Sequence, residues 1–197
     1  MKILMIGGTG TISSAITRQL AASGHDLWLI NRGSRKNEVP ASVKQLITDI
    51  DNTDEVLRLL GDEQFDAVCE FIGFLPSQVE RDIRLFRGRT RQYVYISSAS
   101  AYNKPAANHV ITEGTTLANP HWEYSRNKIA CEELLMREWR DNGFPVTIVR
   151  PSHTYCAGLG LLPAGQQGPG SDPVKEGSFP EPQVLKGASS LGALTHR

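Results

Sequence analysis

The sequence begins with a short apolar run that ends in a glycine-rich turn. Residues 2–6 (KILMI) precede Gly7-Gly8-Thr9-Gly10, and isoleucine or leucine then recurs at every fourth position from Ile12 to Leu20. An apolar run ending in glycine is typical of a buried parallel strand, and the spacing of four is typical of a helix. This order of strand, tight turn and helix constrains the chain to an α/β fold.

The alternation of strand and helix continues along the chain. Further strands are predicted at 27–30, 43–47, 65–72, 92–97 and 146–149, and further helices at 52–60, 76–86 and 122–141. Alternating elements of this kind form a parallel sheet that helices cover on both faces. The predicted fold class is therefore α/β, a Rossmann-type doubly wound parallel sheet of about six strands.

The composition changes after Tyr155. Residues 157–197 contain eight glycines, five prolines and a single aromatic residue, and no strand or helix period persists there. Such a segment buries too little apolar surface to fold on its own. We expect a folded domain over residues 1–155 and an irregular or disordered Gly/Pro-rich tail over 156–197.

Composition and charge argue against several classes of protein. The chain carries 21 basic and 21 acidic side chains, which argues against a broad basic surface and against RNA as a partner. Cys69, Cys131 and Cys156 show no paired spacing. We therefore predict reduced thiols and no metal site. No leader-like or bilayer-spanning apolar stretch is visible, which predicts a cytoplasmic protein without a membrane partner.

The glycine turn has the position of a phosphate-binding loop. Gly7 suits the tight turn, Gly10 allows close approach of a pyrophosphate, and the amides of Thr11 and Ile12 open the following helix. The alternative is an ordinary glycine-rich turn between a strand and a helix. The order of the elements favours a dinucleotide site.

The end of the second strand indicates which dinucleotide is bound. An acidic residue there usually holds the adenosine ribose of NAD, but this chain has Asn31-Arg32, followed by Arg35 and Lys36. A guanidinium in place of an acid suits the 2′-phosphate of NADP. NADP is the preferred cofactor and NAD a possible one, whereas a solvated basic loop is the alternative interpretation.

A tyrosine and a lysine provide the second chemical signal. Tyr124 and Lys128 are four residues apart and share one face of a predicted helix. A nearby ammonium is expected to lower the tyrosine pKa from about 10, so that the phenol exchanges a proton with substrate while hydride moves to or from nicotinamide. Three serines, Ser97, Ser98 and Ser100, follow the fifth strand, where a hydroxyl could bond the reacting oxygen. A surface Tyr/Lys pair and a serine-rich strand exit are the alternatives.

Together these residues resemble the extended short-chain dehydrogenase/reductase superfamily, in its NAD-dependent epimerase/dehydratase family. The resemblance covers residues 1 to about 155. Within the family, four stretches are most similar to bacterial nucleoside-diphosphate-sugar epimerase-like proteins, which are in turn similar to chloroplast stem-loop RNA-binding proteins. These stretches are Arg87–Arg89, Tyr95–Tyr102, Trp122–Arg126 and Val149–Tyr155.

The resemblance implies the roles of particular residues. It implies a catalytic set of Ser98, Tyr124 and Lys128, the last two also contacting the cofactor. It places Gly7, Gly10 and Ser13 in the phosphate loop and Arg32 beside the ribose. The other implied cofactor contacts are Asp49 and Ile50 at the adenine, Phe71, Ile72 and Gly73 at a strand exit, and Pro151 and Ser152 beside the nicotinamide.

The sequence departs from the family pattern at three places. Ser13 stands where a third glycine or alanine is usual in the glycine loop. Sugar dehydratases carry an Asp-Glu pair after the catalytic serine or threonine, whereas this chain has Ala99 and Ser100, so dehydration is not expected. From Cys156 the chain no longer resembles the substrate-binding region of the family. A truncated or frameshifted substrate region is the hypothesis, with a frameshift preferred.

The predicted function is that of an NAD(P)-dependent oxidoreductase or epimerase acting on a small molecule, such as a nucleotide sugar, through Tyr/Lys/Ser chemistry. The alternatives are a non-catalytic nucleotide- or RNA-binding relative and an inactive truncated pseudo-enzyme. Because extended family members often pair through helices equivalent to 76–87 and 122–141, a homodimer is also expected.

Overall fold

The computed structural model describes residues 1–34, 39–106, 108–152 and 154, and these contain a parallel six-stranded sheet. The strands are β1 Lys2–Ile6, β2 Asp26–Asn31, β3 Lys44–Ile47, β4 Ala67–Glu70, β5 Tyr93–Ile96 and β6 Val146–Val149. The helices are α1 Thr11–Ala22, α2 Thr53–Leu60, α3 Pro76–Phe86 and α4 Glu123–Asn142, with a short 3₁₀ helix at Ala99–Ala101. The predicted fold class is confirmed.

The strand order is β3-β2-β1-β4-β5-β6, with every neighbouring pair parallel. The chain runs outward from β1 in one direction to β3 and then crosses back to build β4 to β6 on the other side. The sheet therefore has its topological switch point between β1 and β4, where doubly wound folds bind ligands at the carboxyl ends of the strands.

Alternate residues of the central strands pack on opposite faces of the sheet. Leu4 and Ile6 of β1 face a large core cluster that includes side chains of α2, α3 and α4. Ile3 and Met5 face a smaller cluster against which α1 packs. Because both faces are covered, β1 is apolar almost throughout, which is why its sequence predicts a buried strand.

A set of buried polar side chains joins α3 to the sheet. Arg81 pairs with the neighbouring Asp82 at 2.7 Å and with Asp51, and its guanidinium lies 3.6 Å from Glu70. The Tyr93 hydroxyl donates to the second Asp82 carboxylate oxygen at 2.7 Å. Burial, reinforced by Asp82, raises the pKa of Glu70 well above its ordinary value. The pairing compensates Arg81 and Asp82 for their loss of water, whereas the Glu70 Oε2 atom has no hydrogen-bond partner among the described residues.

Several expectations concern other parts of the chain. The predicted tail at 156–197, and Arg35 and Lys36, lie outside the described residues. Cys69 and Cys131 are free thiols, and burial raises the pKa of Cys69 to about 11. In the described ranges, none of the helices has both the length and the apolarity that crossing a membrane requires.

Two tyrosines of β5 provide a matched test of the buried polar set. Tyr93 and Tyr95 are both fully buried, but Tyr93 donates to a carboxylate, whereas Tyr95 donates to the Gly73 carbonyl. Tyr93→Phe should lower the free energy of unfolding by about 1.5–3 kcal/mol and Tyr95→Phe by about 0.5–1.5 kcal/mol, because hydrogen bonds to charged groups are stronger. Urea denaturation measures both; an equal or larger loss for Tyr95→Phe would contradict the assigned importance of Asp82.

Candidate active site

A cavity of about 250 Å³ opens at the carboxyl edge of the sheet, beside the switch point. Its wall combines the first turn of α1 with the exits of β4, β5 and β6 and one face of α4. The lining residues are Ile12, Phe71, Phe74, Ile96, Ser97, Ser98, Tyr124, Lys128, Pro151, Ser152 and Thr154. The structure thus brings the three residues of the predicted catalytic set into one wall, together with four of the predicted cofactor contacts.

The glycine loop between β1 and α1 depends on both a left-handed residue and a serine. Gly7 has φ +84°, and a Cβ there would lie 2.5 Å from the Ile72 side chain. The Ser13 hydroxyl accepts from the Gly10 amide at 2.8 Å and donates to the Gly7 carbonyl at 2.7 Å. Ser13, a departure from the usual third glycine or alanine, therefore closes the loop. Because the Gly10 amide is hydrogen-bonded within the loop, the backbone amides of the first turn of α1 are the groups that can donate to an anion.

The predicted adenosine-side residues lie at the exits of β2 and β3, apart from the cavity wall. Asn31 accepts from the Gly33 amide at 2.9 Å and so holds the turn after β2, while Arg32 is exposed. Asp49 accepts from the Asp51 amide at 3.0 Å. Ile50 is only 4% exposed and its side chain packs in the core, so the surface of this segment is formed by its neighbours.

Lys128 is a buried cation that joins two strand exits. Its ammonium donates to the carbonyls of Gly73, after β4, and Ile96, at the end of β5, both at 2.7 Å. Gly73 thereby serves as an acceptor for the lysine, a use that its predicted cofactor contact did not include. Burial lowers the pKa of Lys128 to about 8.

Tyr124 is half-buried beside Lys128. Its ring packs against Trp122 and Phe74, with centroids 4.8 and 6.0 Å away, and the Lys128 ammonium lies 5.8 Å from the ring centroid. Burial raises the pKa of Tyr124, and the nearby Ser98 hydroxyl opposes that rise. The predicted lowering of this pKa by Lys128 is wrong for this geometry, because the effect of burial dominates.

The serines after β5 have distinct environments. Ser98 starts the 3₁₀ helix, and its hydroxyl oxygen accepts from the amide and the hydroxyl of Ser100, at 3.1 and 2.9 Å. Ser97 also lines the cavity, but its hydroxyl donates to buried Glu132. Among these serines, Ser98 is therefore the one placed beside Tyr124 without a carboxylate acceptor.

A partly buried ion pair that the sequence reasoning missed supports the far wall. The Arg150 guanidinium donates to both oxygens of Glu132, at 2.5–3.0 Å, and to the Tyr102 hydroxyl at 3.1 Å. This pair holds the exit of β6, and with it Pro151, against α4. One signal was available in the sequence, since Glu132 follows Lys128 by four residues on the same helix face.

The fold defines a Rossmann-type α/β protein with a cavity at the carboxyl edge of its sheet. The model of the NAD dependent epimerase/dehydratase family matches residues 3–168, past residue 155 where the quoted motifs end. The chain belongs to the NAD-dependent epimerase/dehydratase family.

Proteins with different activities are similar to this chain. A UDP-glucose 4-epimerase of Lactobacillus helveticus is 29% identical over 214 residues, 96% of this chain and 61% of the relative. A 2′-dehydrokanamycin reductase of Streptomyces kanamyceticus is 29% identical over 161 residues, 82% and 45% of the two chains. The chloroplast stem-loop binding protein of 41 kDa b of Arabidopsis thaliana is 28% identical over 170 residues, 78% and 42% of the two chains.

The solved structures show the same fold. The UDP-Glc/GlcNAc 4-epimerase of Campylobacter jejuni has a TM-score of 0.66 and 24% identity, over 76% of this chain and 52% of that one. This chain thus spans about half the length of the proteins that it matches.

The buried ammonium gives a pH-dependent prediction. With a pKa of about 8 in the folded state against an ordinary value of 10.5, folded Lys128 is neutral above pH 8 while the unfolded chain still binds its proton. The stability of the parent protein relative to Lys128→Met should therefore increase with pH across this range, by up to about 3 kcal/mol. Denaturation of both proteins at several pH values measures the difference in their free energies of unfolding. A difference that does not change with pH would mean that the pKa of Lys128 is not lowered.

Proposed function

We propose that this chain carries the dinucleotide-binding half of a nicotinamide-dependent oxidoreductase or epimerase for a nucleotide sugar or a similar hydroxyl or carbonyl compound. One observation carries the proposal: Ser98, Tyr124 and Lys128 line a single cavity that also reaches the first turn of α1 and the β6 exit. Membership of an NAD-dependent family and similarity to a 4-epimerase and a reductase support it.

The donor groups along the sheet edge fit a dinucleotide. The open end of α1 suits a pyrophosphate, because its amides and the helix dipole both favour an anion. At about 250 Å³, the cavity suits one end of such a ligand, since sites that bury a whole drug-sized molecule span roughly 300–1,000 Å³. When bound, the nicotinamide supplies a hydride donor or acceptor.

The adenosine side supports a preference for NADP over NAD. The chain leaves β2 through Asn31 and the exposed Arg32, without a carboxylate that would bond the ribose hydroxyls and repel a 2′-phosphate. A guanidinium can instead form charge-assisted hydrogen bonds with that phosphate. Asp49 is part of the proposed adenine contact, and so is the backbone of Ile50.

Tyr124 is the proposed general acid/base. Because burial raises its pKa, the phenol is protonated near neutral pH and begins as the acid that donates to a substrate carbonyl oxygen. Ser98 holds that oxygen by a hydrogen bond. Lys128 uses two of its three N–H groups on backbone carbonyls, which fixes the two strand exits and leaves one donor for the cofactor ribose.

The remaining parts of the proposal concern partners. A nucleotide sugar is the proposed substrate class, and a homodimer through α3 and α4 is the proposed assembly in the cytoplasm. Similarity to a stem-loop binding protein supports non-catalytic RNA binding as a second candidate, against which the zero net charge argues. An inactive pseudo-enzyme that keeps the cofactor site is the third.

Cofactor binding tests the first part of the proposal. Arg32→Ala should weaken NADPH binding by about tenfold to a hundredfold and change NADH binding by less than about twofold, because only NADPH carries the 2′-phosphate. Arg84→Ala, which removes an exposed arginine on α3, should change neither affinity. Nicotinamide fluorescence measures the six dissociation constants of the parent and the two variants for NADPH and NADH. If Arg32→Ala weakened the binding of NADPH and NADH equally, recognition of the 2′-phosphate by Arg32 would be excluded. If the folded parent bound neither cofactor saturably, the proposed cofactor site would be wrong.

Hydride transfer tests the second part. With UDP-sugars as trial substrates, Tyr124→Phe should lower the rate of nicotinamide oxidation or reduction by at least about a hundredfold, the usual contribution of a general acid/base. Tyr102→Phe is the matched control, because the Tyr102 hydroxyl accepts from Arg150 outside the cavity wall. Tight cofactor binding with no transfer, for every sugar tried, would favour the non-catalytic candidates.

A further inference from the structure

A chain of side-chain hydrogen bonds extends behind Ser98, away from the cavity. The Asn119 amide nitrogen donates to the Ser125 hydroxyl at 3.4 Å, Ser125 donates to Ser100 at 2.9 Å, and Ser100 donates to Ser98 at 2.9 Å. Ser125 is fully buried and Asn119 is 7% exposed. These hydrogen bonds connect the segment before α4, the first turn of α4 and the 3₁₀ helix after β5. Three separate parts of the fold therefore determine their geometry.

The direction of these hydrogen bonds is set at Asn119. The Asn119 side-chain oxygen accepts from the His121 amide at 3.1 Å, and its nitrogen donates to the Ser100 carbonyl at 2.8 Å. These two backbone partners define which end of the amide is which. Because an amide nitrogen only donates, each hydroxyl in turn accepts from the preceding group and donates to the next. The direction therefore runs from Asn119 toward Ser98.

The hydroxyl of Ser98 receives two hydrogen bonds from Ser100. One comes from the Ser100 hydroxyl at 2.9 Å and the other from the Ser100 amide at 3.1 Å. A hydroxyl oxygen has two lone pairs and one proton, so both of its acceptor positions are occupied. The proton is what Ser98 can still offer, and Ser98 lines the cavity beside Tyr124.

We propose that Ser100, Ser125 and Asn119 are positioning residues that make Ser98 an obligatory hydrogen-bond donor into the cavity, toward the Tyr124 oxygen or a substrate oxygen beside it. The proposal rests on the proposed function for its significance. A serine free to rotate could accept a hydrogen bond from the Tyr124 O–H and so stabilise the neutral phenol, whereas a serine restricted to donation stabilises a phenolate or a developing oxyanion. The hydrogen bonds that run from Asn119 through Ser125 and Ser100 thus set the orientation of the Ser98 O–H bond before a substrate binds.

The ionisation of Tyr124 reports on this orientation. Among the residues that the structure describes, the other titratable groups with an influence on Tyr124 are Lys128, on α4, and Tyr95, on β5. Neither is altered in the variants below, and Phe74 and Trp122, which pack on the Tyr124 ring, are uncharged. A change in the Tyr124 titration between these variants therefore follows from the Ser98 hydrogen bond.

The experiment uses the full chain with a ring-fluorinated tyrosine incorporated at position 124, which ionises at lower pH than tyrosine. Its ¹⁹F resonance is followed against pH. Ser98→Ala and Ser100→Ala should each raise the pKa of this residue by about half to one pH unit, the equivalent of one lost hydrogen bond. The Ser98→Ala/Ser100→Ala double variant should match Ser98→Ala alone, because Ser100 acts through Ser98.

Three further variants separate positioning from general structural damage. Ser100→Thr keeps the hydroxyl and should restore the parent titration. Ser125→Ala, one step further back, should raise the pKa by less than Ser100→Ala. Ser42→Ala removes an exposed hydroxyl elsewhere and should have no effect.

A Ser100→Ala variant that titrates like the parent, while Ser98→Ala shifts, would overturn the proposal. Additive shifts in the double variant would overturn it as well, because Ser100 would then act independently of Ser98. Failure of the parent to bind NADPH or NADH would instead remove the proposed function, and the ¹⁹F titrations would still decide the orientation of Ser98.

Discussion

Parallel pairing of all six strands is the constraint on which the rest of this structure depends. It directs every strand exit to one edge of the sheet, and the strand order creates a switch point between β1 and β4 at that edge. Residues far apart in sequence, such as Ile12, Ser98 and Pro151, meet there because each follows the carboxyl end of a strand. The site is thus a consequence of topology before it is a consequence of any single side chain.

Buried polar groups then hold the exits in place. Lys128 joins the carbonyls after β4 and at the end of β5, and the Glu132–Arg150 pair does the equivalent for β6. A backbone carbonyl without a partner in such a place would be costly, so these side chains stabilise segments that the sheet itself no longer pairs. One helix face thus has two roles: Lys128 and Glu132 position strands, while Tyr124 lines the cavity.

The same division clarifies the serines. Ser97 bonds a carboxylate, Ser100 belongs to a buried hydroxyl chain, and Ser98 stands between that chain and the cavity. Three hydroxyls within four residues therefore differ in what they can donate or accept. Their different partners come from α4 and from the segment before it, and nothing in the local sequence distinguishes them.

The sequence by itself determined the elements, their order and the fold class, because a strand buried on both faces and a helix buried on one leave distinct apolar periods. It also indicated Gly7, Tyr124 and Lys128, whose residue types suit a left-handed turn and an acid/base pair. The ends of β4 differed from prediction, since 65–72 was expected and Ala67–Glu70 is paired. There Glu70 turns its carboxylate onto the Ile72 amide and ends the pairing.

Only the tertiary structure decided the electrostatics of the site. Helical spacing predicted that Lys128 would lower the Tyr124 pKa, but two carbonyls from other strands hold the ammonium, and burial raises that pKa. The spacing of Glu132 from Lys128 indicated its helix face, but neither its partner Arg150 nor the hydrogen bonds from Asn119 to Ser98 could be predicted from the sequence. The physical reason is that burial and long-range hydrogen bonds depend on which segments the sheet brings together, whereas apolar periods depend on neighbours along the chain.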